Sequence, residues 1–242
     1  MIKIIFLIIS LFSTIMVNIL ANTLPINHQT TGEISNRLPS LFTPASYVFL
    51  IWIAIYLLLA YWIWNIVKEF KSGESISATR VILFVSSSIL NILWIFFWHY
   101  ELFLFALIDI FALLGVLFIL YKTYSSDEQL WIKRLPISIY LGWIFVATFD
   151  NIDYYLTYVE FGGWGMTKSL WVVIFLTIAT AIALHIRFHY NDPVIVLVFI
   201  WAFIGIAYRH MLHELLITSA SIFLSFVLIV GILFIKKMPR KS

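Results

Sequence analysis

The chain has 242 residues, 63% of them apolar and only 11% charged, with a mean hydropathy of +1.03, a formal net charge of +3 and no Cys. Soluble domains carry about 25% charged residues, so this chain has too little polar surface to meet water on all sides; a soluble globular protein, a disordered tail and a nucleic-acid binder are excluded. Without Cys there is no disulfide framework, no thiolate nucleophile and no Cys-ligated zinc or iron–sulfur site.

Crossing a bilayer core of about 30 Å takes roughly 20 apolar helical residues. Eight such windows run along the chain, at about 4–21, 44–66, 81–99, 102–121, 135–158, 169–187, 193–209 and 214–235. None alternates with period two, so each reads as a helix rather than a barrel strand. The first window follows Lys3 and ends in Ala21 before Asn22; it reads as a retained helix or a cleaved signal peptide, and Ile19, a poor small residue for the cleavage site, favours retention. A polar loop over 22–43, with Pro25 and Pro39, is long enough to cover a site.

The second segment places Phe49, Trp52 and Tyr56 at i, i+3 and i+7, one face of a helix. The third repeats the device with Asn91, Trp94 and Trp98, and the fifth carries Tyr140, Trp143, Ala147, Thr148 and Asn151 on a single stripe. Trp and Tyr ordinarily gather at membrane interfaces, which accounts for Trp62, Trp64, Trp131 and Trp164 and extends to Trp98. Trp52, Trp94 and Trp143 lie deeper, where an indole N–H has no water and needs a partner; Asn91 and Asn151 are expected to supply one. Such stripes are either helix-packing cores or the walls of an aromatic cavity for a flat apolar ligand. In the fourth segment Asp109 lies roughly 10 Å from the boundary at Leu102. An acid at that depth is either a functional group or a neutral one locked to Ser87, Ser88 or Asn91.

Gly162-Gly163-Trp164-Gly165 breaks the pattern and separates five segments from a three-segment tail. In the tail, His185 and His189 are i, i+4, and His210, His213 and Glu214 sit together in a turn. These groups fall at opposite ends of the helices and lack the order of a His-Glu-x-x-His site, so no metal is expected. The chain also lacks a Gly-rich phosphate loop and the nucleophile motifs of hydrolases.

Loop charges orient the chain, because Lys and Arg collect on the cytoplasmic side. With the N-terminus inside, the inner segments hold Lys3, Lys68, Lys71, Arg80, Lys122, Lys133, Arg134, Arg187, Lys236, Lys237, Arg240 and Lys241, twelve of the 15 basic residues. The outer ones hold Arg37, Lys168 and Arg209, whereas Glu33, Glu101, Asp150, Asp153, Glu160 and Glu214 lie outside or near the outer boundary. Both termini are thus expected in the cytoplasm.

Taken in order, these stripes resemble the TspO/MBR family, the tryptophan-rich sensory proteins that include the mitochondrial translocator protein. Phe42-Thr43-Pro44 through Phe49, Trp52 and Tyr56 resembles the start of that family's second helix. Asn91-x-x-Trp94 resembles its helix-three signature, and Tyr140-x-x-Trp143-x-x-x-Ala147-Thr148-x-x-Asn151 its helix-five signature, while Asp109 falls where the family often has an acid. Ala45 replaces a Pro, Leu50-Ile51 a Gly-Pro pair and Ser87 a Gln, and no basic residue follows Tyr154 as the family's cholesterol motif requires.

The resemblance implies an all-α integral membrane protein, with a five-helix bundle over residues 1–160, an outer linker at 161–168 and a three-helix extension over 169–242. It implies a bacterial plasma membrane setting and a cavity, covered by the first loop, that binds a planar hydrophobic ligand such as a porphyrin or haem, no cofactor being required. The residues it assigns to ligand binding are Phe49, Trp52, Tyr56, Asn91, Trp94, Asp109, Tyr140, Trp143, Ala147 and Asn151. Sensing, transport and light-dependent pigment breakdown are all compatible with it. The expected partners are the bilayer, the ligand and a second copy packed through transmembrane helices. A small-solute transporter or channel using Asp109, and a structural or regulatory membrane partner without a ligand, are the rival readings.

Overall fold

The structure, a computed structural model, describes residues 1–24, 26–124 and 131–235, and the side chains of 131 and 132 are not among those described. Pro25, the Trp131 side chain and Lys236, Lys237, Arg240 and Lys241 therefore lie outside the described residues. The helices are α1 Ile2–Thr23, α2 Thr31–Arg37, α3 Ile51–Lys71, α4 Ala78–His99, α5 Phe103–Lys122, α6 Trp131–Tyr158, α7 Lys168–Tyr190, α8 Pro193–His210 and α9 Leu215–Phe234. All but α2 are long and apolar enough to cross a membrane. The chain is thus an all-α integral membrane protein, its eight spans falling where the eight apolar windows placed them.

Local signals fix the helix starts. The Ser77 and Thr167 hydroxyls accept from the backbone N–H groups of Arg80 and Leu170, capping α4 and α7. Asp192 accepts from Val194 and Ile195 with Pro193 at the first helical position of α8. The second apolar window opens with a short 3₁₀ turn, Ser46–Leu50, before α3. The polar loop carries a helix of its own: Thr30 and Glu33 form a reciprocal capping box at the start of α2.

Helices α1, α4, α5, α6 and α3 close into a ring, each in contact with the next. Helix α8 packs on the outside of α6, and α7 and α9 pack on α8 and on each other. Small residues permit that approach. A Cβ built on Gly142 of α6 would stand 3.1 Å from Val198 Cβ, and one on Gly205 of α8 would stand 2.1 Å from Val48 Cγ2. At the end remote from α2, buried Asp192 ties three helices together: it accepts from Tyr121 of α5 at 3.0 Å and Ser138 of α6 at 2.6 Å, and pairs with Arg134 of α6 at 3.3 Å. Buried charges persist only when paired in this way.

Candidate functional site

At the α2 end, the ring encloses a cavity of 560 Å³, within the range of small-ligand sites. Seven of the ten expected residues line it: Phe49, Trp52 and Tyr56 from the corner and α3, Trp94 from α4, and Trp143, Ala147 and Asn151 from α6. The rings are organised in pairs. Trp52 stacks on Tyr56 with centroids 5.5 Å apart, Trp94 stacks on Trp98 at 5.2 Å, and Trp143 stands edge-on to Phe49 at 5.6 Å.

The other three expected residues lie elsewhere. Asn91 is one helical turn further from the α2 end than Trp94; it accepts from the Asn18 amide at 2.9 Å and donates to the Tyr140 hydroxyl at 3.1 Å. This link joins α1, α4 and α6 beside the cavity, so Asn91 and Tyr140 brace the site rather than line it. Asp109 is buried on α5, the one ring helix that contributes nothing to the lining. It forms no hydrogen bond to Ser87, Ser88 or Asn91, and its Oδ2 is buried without a partner. Ser87 donates instead to the Phe84 carbonyl at 2.8 Å.

Of the expected indole partners, Asn151 accepts from Trp94 Nε1 at 2.9 Å. The Nε1 groups of Trp143 and Trp98 are buried with no hydrogen-bond partner, as is the Tyr56 hydroxyl. Trp98 and Trp62 are both buried within the protein, Trp98 against the cavity and Trp62 donating to the Tyr124 hydroxyl at 2.6 Å. Orphaned buried donors are uncommon in folded proteins, and here three of them belong to residues lining one cavity.

Helix α2 roofs the cavity through Thr31, Gly32, Ser35 and Asn36. Its Ile34 carbonyl accepts from Tyr154 of α6 at 2.8 Å, and Arg37 pairs with Glu101 of the α4–α5 turn at 2.6 Å. That guanidinium, with the Gln29 amide, holds the Glu101 carboxyl below its usual range, and Glu101 raises Arg37 in return. The Thr30 backbone N–H at the capping box lowers Glu33 in the same way.

The segment leading from α2 into α3 is clamped from both sides, by residues of α6 and α8. On α6, Asp153 accepts from the Ser40 hydroxyl at 2.7 Å and from the N–H groups of Leu41 and Phe42 at 2.8 and 2.9 Å, and Asp150 accepts from the Thr43 hydroxyl at 2.6 Å. On α8, the Gly205 carbonyl accepts from Ala45 at 3.2 Å, Trp201 donates to the Val48 carbonyl at 3.1 Å, and Arg209 donates to the Pro44 carbonyl at 3.4 Å. His210 Nε2 lies 2.7 Å from the Leu41 carbonyl and donates to it when protonated there. The signal for Asp150 was in the α6 stripe: it follows Trp143 by seven residues and Ala147 by three, so it shares their face. No comparable pattern marks the α8 residues, because their partners are more than 150 positions away.

The two His groups of the tail do different things. His185 and His189 stack with centroids 4.0 Å apart, whereas His210 joins the clamp. Among the described residues no cluster of three or more His, Asp or Glu is placed to hold a metal.

No curated protein and no solved structure matches the chain. A family model described as TSPO-like protein matches residues 4–234, from α1 through α9 and therefore through the three-helix extension as well as the ring. With the ring, its aromatic cavity and nearly the whole chain matched, the chain belongs to the TSPO-like family.

Proposed function

We propose that the protein is a membrane receptor or translocator that takes a planar hydrophobic ligand into the aromatic cavity, with a tetrapyrrole, porphyrin or haem, as the ligand class that the family resemblance implies. The observation that carries this reading is the lining itself, where indole rings from three helices converge on a cavity of 560 Å³. A ligand with a flat apolar body would bury the rings that face the cavity. Titrating a porphyrin into the full chain in non-ionic detergent, with tryptophan fluorescence as the readout, tests it. Saturable quenching beyond that of a protein-free blank is expected, and linear, non-saturable quenching contradicts it.

A second reading, small-solute permeation, has one observation in its favour: the buried, unpartnered Oδ2 of Asp109. It requires flux across vesicles that Asp109→Asn abolishes. For orientation, we infer from the loop charges that the α2 end faces away from the cytoplasm of a bacterial cell; a reporter fused after Lys71 is expected to read as cytoplasmic.

A further inference from the structure

Among the described residues lining the cavity there is one charged side chain, Asp150, and no Lys, Arg or His. One oxygen of Asp150 accepts from Thr43 at 2.6 Å, and the other makes no hydrogen bond to any described residue. The nearest competing charges are accounted for. Among the described residues Arg209 of α8 makes no ion pair with Asp150, its guanidinium being directed to the Pro44 carbonyl. Asp153, one turn along α6, is taken up by three donors of the clamp. The cavity thus offers an incompletely satisfied carboxylate beside aromatic rings: Trp143 and Ala147 precede it on its own face of α6, and the Trp94–Trp98 and Trp52–Tyr56 pairs supply further walls.

Carboxylate and indole attract the same kind of group. An ammonium beside Asp150 gains a charge-assisted contact, and within about 6 Å of a Trp centroid it gains the pull of the ring quadrupole, most strongly where water is excluded. An anionic group meets the reverse: a like charge, negative ring faces and no basic residue to compensate its lost hydration. The wider field has the same sign. Glu33, Glu101, Asp150, Asp153, Glu160 and Glu214 at the α2 end face only Arg37, Lys168 and Arg209, so cations are drawn to the mouth and anions repelled.

We propose that, among planar hydrophobic ligands, this cavity prefers those carrying a cationic group, a tertiary amine or quaternary ammonium on a flat apolar body, seated with its charge against Asp150 and its body against the indoles of Trp52, Trp94 and Trp143. The assignment rests on the reading of the cavity as a planar-ligand site and adds the charge of what enters it. Carboxylate-bearing porphyrins are then poorer ligands than neutral or cationic derivatives of the same ring. Asp150 acts as the specificity-determining residue, and Thr43 positions it.

Three derivatives of one porphyrin separate the two levels of the claim: the free diacid, its dimethyl ester and a bis-amide ending in trimethylammonium groups. Each is titrated into the full chain in non-ionic detergent near neutral pH, with tryptophan quenching as the readout. The expected order is cation, ester, diacid, with the cation about tenfold tighter than the ester. Asp150→Asn keeps an oxygen acceptor for Thr43 and is expected to bring the affinity for the cation close to that for the ester. A diacid that binds as tightly as the cation overturns the proposal, as does a charge preference that survives in Asp150→Asn. The ligand order on the unaltered chain decides the matter even if the variant does not fold. If none of the three quenches saturably, the planar-ligand reading itself fails; saturable binding without a charge order sinks the cationic assignment alone.

Discussion

Asp153 places one carboxylate oxygen where three donors of the Ser40–Phe42 segment converge. Removing the acceptor leaves buried donors unsatisfied, at a cost of about 1–3 kcal/mol each where water cannot reach them. Asp153→Ala is therefore expected to lower stability by about 3 kcal/mol in total, read as a drop in melting temperature in detergent; an unchanged melting curve would mean that the clamp is held elsewhere. Asp109 is the opposite case, a buried acid whose Oδ2 has no hydrogen-bond partner among the described residues. Asp109→Asn is expected to leave both the melting temperature and planar-ligand binding nearly unchanged, because Asn fills the same space and the side chain is outside the cavity. A clear fall in stability would reveal a structural partner, and lost vesicle flux in a stable variant would favour the permeation reading. At this scale the sequence was informative about direction and less so about depth. Helical spacing put Asn91 and Trp94 on one face correctly, but a stripe continues past the end of a cavity, and at 1.5 Å per residue one turn separates a wall residue from a brace. Whether a carboxylate finds donors depends on the facing segment, which spacing within its own helix does not encode.

Helix α8 contributes to the site without lining it, since Trp201, Gly205 and Arg209 all meet the corner from which Phe49 and Trp52 project. A Cβ at position 205 would fall 2.1 Å from Val48 Cγ2 and 3.3 Å from Pro44 Cβ. Val48 is branched and buried, and has no flexible end to swing aside. Gly205→Ala is expected to cost about 1–3 kcal/mol and to weaken ligand binding by shifting Phe49 and Trp52, seen as a lower melting temperature together with a raised Kd. Full retention of both would show that the helix backs away freely. The eight spans were legible because lipid exposure demands long apolar runs. Helix α2 was not: at seven residues it shows no hydrophobic period, and its only local mark is the Thr30-x-x-Glu33 box, which becomes informative once Ile34 is seen buried under the Tyr154 contact. The role of Gly205 leaves no local mark for the same kind of reason, because the residue it must admit is Val48, far away in the chain.

Over the whole molecule, five helices form a ring beside an aromatic cavity, and three more pack outside it, α8 against α6 and the corner that frames the cavity and α7 and α9 against α8 and each other. The match of the family to residues 4–234 includes those three helices, in keeping with a structure in which α8 is bonded to the edge of the cavity. The sequence made the ring and most of the lining readable because a membrane helix presents its polar and aromatic residues to other helices and not to lipid. It did not show which of those residues border open space and which meet a neighbour, since both environments favour the same residue types. Ala147 distinguishes them, as it lines the cavity on the same face as Trp143 and Asp150. The measurement is the Kd for a planar porphyrin ester, by tryptophan quenching, on the natural chain and on Ala147→Leu, with a melting curve for each. A side chain that grows into open cavity is predicted to weaken binding at least tenfold, about 1.4 kcal/mol, while the melting temperature stays within a few degrees; an unchanged Kd in a stable variant, or a variant destabilised by overpacking, would contradict the assignment of this cavity as the ligand site.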